Sequence, residues 1–93
     1  MKRLLLPSTA FVRSSRCFAR KHPQLASELQ LTLELLAADA FDPQLKTHKL
    51  KGKLANSWAC SAGYDLRIVF QFVKPKGQDA ILLEGIGTHD EVY

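Results

Sequence analysis

Between Gly63 and Phe72 the chain reads Gly-Tyr-Asp-Leu-Arg-Ile-Val-Phe-Gln-Phe, and no other stretch limits the possible folds so strongly. Tyr64, Leu66, Ile68, Phe70 and Phe72 fall on alternate positions and are all apolar, the period of a strand with one buried face. The opposite parity carries Asp65, Arg67, Val69 and Gln71, so a carboxylate and a guanidinium two residues apart project from the same side of the sheet. One face must be packed; the other can act. An ion pair on a solvated strand also accounts for Asp65 and Arg67 when they are taken alone.

The preceding sequence supplies the layer that packs. Lys2 to Leu6 is short and apolar and stops at Pro7, as a first or edge strand would. Ser8 then caps a helix predicted to run to about Lys21, with Phe11, Val12, Ser15, Phe18 and Ala19 on one stripe and Arg13, Arg16 and Arg20 on the outer face. Pro23 suits the first turn of a second helix, to about Ala38, with Leu25, Leu29, Leu33 and Leu36 on one side. Asp39 to Leu45 reads as a connection, and Thr47 to Leu54 as a basic loop without periodicity.

Ser57 to Ser61 is a short strand that turns back at Ala62-Gly63. A three-residue loop of Ala62, Gly63 and Tyr64 pairs Ser61 with Asp65 and puts Trp58 and Cys60 on the face of Leu66 and Ile68. A two-residue loop puts Trp58 beside Asp65 and Arg67 instead, where it could stack on a base. The first register buries the apolar residues. After a turn at Lys74 to Gln78, Asp79 to Gly87 is apolar at both parities, as an interior strand covered on both faces would be. The order strand, two helices, then strands joined by tight turns predicts an α+β domain with an N-terminal helical hairpin on one face of a small antiparallel sheet.

At 93 residues, with 46% hydrophobic and 24% charged residues, the chain makes one domain, 1–93. No run approaches the roughly 18 apolar residues of a membrane span. The opening Met-Lys-Arg-Leu-Leu-Leu is cut short as a signal peptide by Pro7 and Arg13, which points to the cytoplasm. Cys17 and Cys60 lack the close spacing of zinc or redox motifs and are expected to be buried thiols. The net charge of +4 is unevenly spread. No acid precedes Glu28, whereas Lys2, Arg3, Arg13, Arg16, Arg20 and Lys21 do, and Lys46, Lys49, Lys51 and Lys53 cluster between Asp42 and Asp65. Such clustering suits a polyanion, above all nucleic acid.

His48 and His89 sit in loops or strand ends beside the predicted active face. Histidines so placed can move protons at neutral pH. With Asp65, Arg67 and the lysines they form a set suited to RNA cleavage. A base takes the ribose 2′-proton, a cation steadies the phosphoryl oxygens, an acid protonates the leaving 5′-oxygen, and no metal or other cofactor is needed. Gly85-Ile86-Gly87 lacks both the third glycine and the following helix of a dinucleotide site. Ser61 and Cys60 have no nucleophile elbow, and no zinc pattern is present.

Three segments, Thr47-His48-Lys49-Leu50-Lys51-Gly52, Ser61 to Phe70, and Ile86-Gly87-Thr88-His89-Asp90-Glu91-Val92-Tyr93, resemble the RelE/YafQ type of bacterial toxin, the mRNA interferases of type II toxin-antitoxin systems. The resemblance extends to the helical hairpin and covers nearly the whole chain. It implies a RelE-like fold, entry into the ribosomal A site, cleavage of mRNA there, and neutralisation by a cognate antitoxin wrapping the basic surface. His48, Asp65, His89 and Tyr93 stand where YafQ-like toxins keep functional residues. Ser61 replaces a histidine of those toxins and Gly85 an arginine, for which Arg67 could substitute from the neighbouring strand. The resemblance also admits a non-catalytic inhibitor like the ParE relatives, or a weakened member acting as a binding partner in a repressor complex.

Overall fold

In the computed structural model, residues 2–51, 56–62 and 66–87 are described. The elements run β1 (Leu4–Pro7), α1 (Thr9–Lys21), a 3₁₀ turn (Pro23–Leu25), α2 (Ala26–Ala38), a second 3₁₀ turn (Pro43–Leu45), β2 (His48–Lys49), β3 (Trp58–Ala62), β4 (Leu66–Val73), a third 3₁₀ turn (Pro75–Gly77) and β5 (Ala80–Gly87). Five strands form one sheet in the order β1-β5-β4-β3-β2. From β2 to β5 each strand is antiparallel to its neighbour, but β1 pairs parallel with β5, so the sheet is mixed at that edge. The helical connection between β1 and the rest makes this pairing possible, since parallel neighbours need a long crossover.

α1 begins where Ser8 accepts a hydrogen bond from the Phe11 amide at 3.0 Å, and ends with Arg20 and Lys21 near its negative pole. It buries Phe11 and Phe18, which lie two turns apart on one line. Val12 and Ala19, predicted to share that stripe, are exposed, because each stands about 100° further round the helix than the phenylalanine before it. α2 follows Pro23–Leu25 rather than starting at Pro23, and Leu25, Leu29, Leu33 and Leu36 all join the core or pack on it. Thr32 is buried as well, its hydroxyl satisfied by the Glu28 carbonyl at 2.7 Å.

Both helices lie on the face of the sheet carrying Leu66, Ile68 and Phe70, which are fully buried against Phe11, Phe18 and Leu36. The register of β3 on β4 is Ser61 opposite Arg67 and Trp58 opposite Phe70. The faces are therefore as predicted, with Trp58 and Cys60 on the core side. The pairing is displaced by two residues from the predicted Ser61–Asp65 pair, because Ala62 stays in the ladder opposite Leu66. β4 accordingly starts at Leu66, and Asp65 lies outside the described residues. Trp58 stacks edge-on to Phe41 and Phe72, at 5.6 and 5.2 Å between centroids.

β5 is interior, between β1 and β4, yet its two-sided apolar pattern has a different cause from the one predicted. Val69 faces Gly85 and Phe70 faces Leu83, so Glu84 is an extra residue in a β-bulge. The bulge resets the alternation: Ile81 and Leu83 enter the core on one side of it and Ile86 on the other. Leu82 and Glu84 remain only half-buried on the face without helices.

Phe70→Ala is expected to lose about 3–5 kcal/mol and to lower Tm by roughly 12 °C or more. Val12→Ser is expected to stay within about 0.5 kcal/mol of the parent. Thermal unfolding followed by circular dichroism distinguishes the two.

Candidate functional site

The face away from the helices carries the alternate residues of each strand. Across it, register aligns His48, Ala59, Val69 and Gly85 in one row and Ser61, Arg67 and Gly87 in the next. With strands about 4.8 Å apart and residues about 3.3 Å along, the backbones of His48 and Arg67 are roughly 12 Å apart. A histidine and an arginine reaching toward each other across that gap can hold a phosphodiester between them.

Local structure fixes the start of β2. Asp42 caps the Pro43–Leu45 turn by accepting from the Gln44 amide, Leu45 is buried in the core, and the Thr47 hydroxyl donates to the Ala40 carbonyl. Lys46 adopts the left-handed conformation, φ 51°, and presents its carbonyl to His48 Nδ1 at 3.0 Å. A carbonyl only accepts, so Nδ1 carries the hydrogen of this bond. His48 was expected in a loop; its pairing with Ala59 instead makes it the first residue of an edge strand.

Arg67 is half-buried, and its Nη1 donates to the Leu66 carbonyl at 3.3 Å. It forms no ion pair with the described residues. Lys46, Lys49 and Lys51 are exposed. Lys49 pairs with Trp58 and so stands on the opposite side of the sheet from His48. Asp65, His89, Tyr93 and Lys53 lie outside the described residues.

Three further features of the face were not read from the sequence. Ser57, buried, donates its hydroxyl hydrogen to Glu84 Oε1 at 2.7 Å, across β4. At Gly85 a Cβ would meet nothing within 4 Å, so a small open space adjoins Glu84. The Ser61 hydroxyl turns to the Leu45 carbonyl at the sheet edge, 3.4 Å away. Among the described residues no group of three or more histidines, cysteines or carboxylates could hold a metal.

The cysteines diverge. Cys60 is buried in the core, and burial pushes its thiol from 9.0 up to about 12 against the opposing pull of Arg67. It is an inert thiol at neutral pH, as expected. Cys17, expected to be buried, is exposed, on the outer side of α1 where it lines a groove with Arg13, Arg16 and Arg20. α1 turns only its phenylalanine line inward.

A family model described as "Bacterial toxin of type II toxin-antitoxin system, YafQ" matches residues 3–93. A search of curated protein sequences found no match. Among solved structures, the crystal structure of YafQ from E. coli strain BL21(DE3) is similar with a TM-score of 0.78 at 16% identity, covering 99% of each chain. The E. coli DinJ-YafQ toxin-antitoxin complex gives 0.76 at 17% identity, covering 100% of this chain and 99% of that one. A metal-bound toxin from Helicobacter pylori gives 0.71 at 24% identity over the whole of both chains. At these identities the likeness establishes a common fold.

The raised Cys60 value sets an alkaline limit on stability. Its contribution is fully present below the unfolded-state value near 9.0 and is lost as pH rises from there toward about 12, at up to about 1.4 kcal/mol per pH unit. Urea titrations of the parent and of Cys60→Ala, carried from neutral pH to well above the unfolded-state value, are expected to show a steeper alkaline loss in the parent.

Proposed function

Since its family model spans residues 3–93, the chain belongs to the YafQ family of type II toxin-antitoxin toxins, and on that premise we propose that it is a ribosome-dependent endoribonuclease that cleaves mRNA. The observation that carries the reading is the placement of His48 and Arg67 on the same helix-free face, one row apart. Arg67 neutralises the charge that builds on the phosphoryl oxygens. His48 exchanges a proton through Nε2 while the Lys46 carbonyl holds the ring in either protonation state. His89 is the second proton-transfer group, Asp65 orients a histidine, and Tyr93 stacks on a base or positions the 2′-hydroxyl. The scheme needs no metal.

Lys46, Lys51 and Lys53 hold RNA backbones around the site, and Lys49, on the opposite side of the sheet from His48, holds RNA there. The DinJ-YafQ complex pairs a toxin of this fold with its antitoxin, and a cognate antitoxin is the partner proposed here. Arg13, Arg16 and Arg20, exposed on α1, face away from the sheet and so meet a different polyanionic surface from the strand being cleaved. The place of action is the cytoplasm, where ribosomes are; among the described residues no helix is long and apolar enough to cross a membrane.

Ser61 and Gly85 favour a second reading, in which the chain binds as a weakened member of a toxin-antitoxin repressor complex. Cleavage of mRNA on purified translating ribosomes separates the two. His48→Ala and His89→Ala are each expected to slow cleavage by about 10²–10⁴-fold with antitoxin binding retained. Full activity in both would remove the histidines from the reaction. Neutralising Lys49, Lys51 and Lys53 together is expected to reduce the slope of log affinity against log salt by about 0.7–0.9 for each phosphate that is no longer neutralised. An unchanged slope would mean that these lysines only solvate their segment.

A further inference from the structure

The bulge in β5 places Glu84 and Gly85 together opposite Val69. Glu84 extends from β5 across β4, and its Oε1 accepts the hydrogen bond of Ser57 at 2.7 Å. Ser57 is itself buried, and its carbonyl accepts from the Leu50 amide at 2.9 Å, which ties it to the end of β2. Because His48 pairs with Ala59, Ser57 is its diagonal neighbour, a separation of about 7–8 Å between backbones. A carboxylate is thus anchored by one oxygen near His48, with Arg67 one row beyond His48 and two rows from Ser57, and the space over Gly85 beside it.

We infer that Glu84 is a catalytic residue, the proton acceptor of the cleavage step, and that Ser57 is its positioning residue. The inference rests on the endoribonuclease reading above. Ser57 engages Oε1, and Oε2 takes the proton of the ribose 2′-hydroxyl. The bond from O2′ to phosphorus forms as the bond from phosphorus to O5′ breaks, and O5′ takes a proton from a protonated histidine. The products are a 2′,3′-cyclic phosphate and a 5′-hydroxyl. Glu84 then gives its proton to solvent, and the histidine regains one. This assigns the acceptor's task to the carboxylate and leaves the donor's to histidine. The described charged and titratable side chains that share the face are Arg67 from β4 and His48 from β2. β3 brings Ala59 and Ser61, Ser57 stands just before it, and β1 brings no titratable group.

The test is single-turnover cleavage of ribosome-bound mRNA across a pH series, with ribosome binding and Tm measured on the same preparations. Glu84→Gln keeps an oxygen for the Ser57 hydroxyl but cannot take the proton. It is expected to slow cleavage by about 10²-fold or more, to abolish the acid limb of the pH-rate profile, and to leave ribosome affinity within about twofold. Cleavage at the parental rate with an unchanged profile overturns the inference. If Glu84→Gln folds poorly, Ser57→Ala decides. Loss of the anchoring hydroxyl leaves Oε2 misplaced, so single-turnover cleavage slows by about tenfold or more with ribosome affinity within about twofold if Glu84 is the acceptor, and an unslowed reaction overturns the assignment. A parent that does not cleave overturns the endoribonuclease reading and this inference together. A parent that cleaves beside an unimpaired Glu84→Gln overturns this inference alone.

Discussion

The pairing of β4 with β5 is the constraint on which the rest of the structure depends. β4 contributes the fully buried Leu66, Ile68 and Phe70, and β5 contributes Ile81, Leu83 and Ile86 to the same core. Two strands with strict alternation could not bury Ile81, Leu83 and Ile86 together, since the last has the wrong parity. The single extra residue at Glu84 reconciles them. Its unpaired backbone is offset by the entry of Ile86 into the core, a burial that contributes about 1.5–3 kcal/mol for a side chain of this size. The same irregularity turns Glu84 and Gly85 onto the face that the helices leave uncovered.

The two faces of the sheet divide the labour. On one, α1 and α2 exclude water, and the environment is apolar enough to hold the Cys60 thiol neutral despite the nearby Arg67 charge. On the other stand the polar side chains of Arg67, His48, Ser57 and Glu84. The helices carry a second basic surface on their outer side.

Membership of the YafQ family coexists with a local composition that departs from the pattern the resemblance implies. Ser61 directs its hydroxyl to Leu45 at the sheet edge, and Gly85 leaves space where a long cation would stand. Arg67, one row away on β4, puts a guanidinium on the same face.

The amino-acid sequence by itself determined the layers. Alternation from Leu66 to Phe72, the serine cap before Phe11, the leucine spacing of α2 and the proline boundaries are local patterns, and local patterns follow from the geometry of a single strand or helix. Parity likewise favoured the register that packs Trp58 and Cys60 on the core side with Leu66 and Ile68, and the observed pairing has them there. Tertiary structure decided what depends on residues distant in the chain: the displaced hairpin register, the bulge at Glu84, the parallel seat of β1, the pairing that makes His48 part of a strand, and the exposure of Cys17 and Val12. Of the candidate site, His48 and Arg67 were legible as residue types in a telling setting. The bond between Ser57 and Glu84 was not, because those residues stand 27 positions apart and only the stacking of three strands brings them within hydrogen-bond distance.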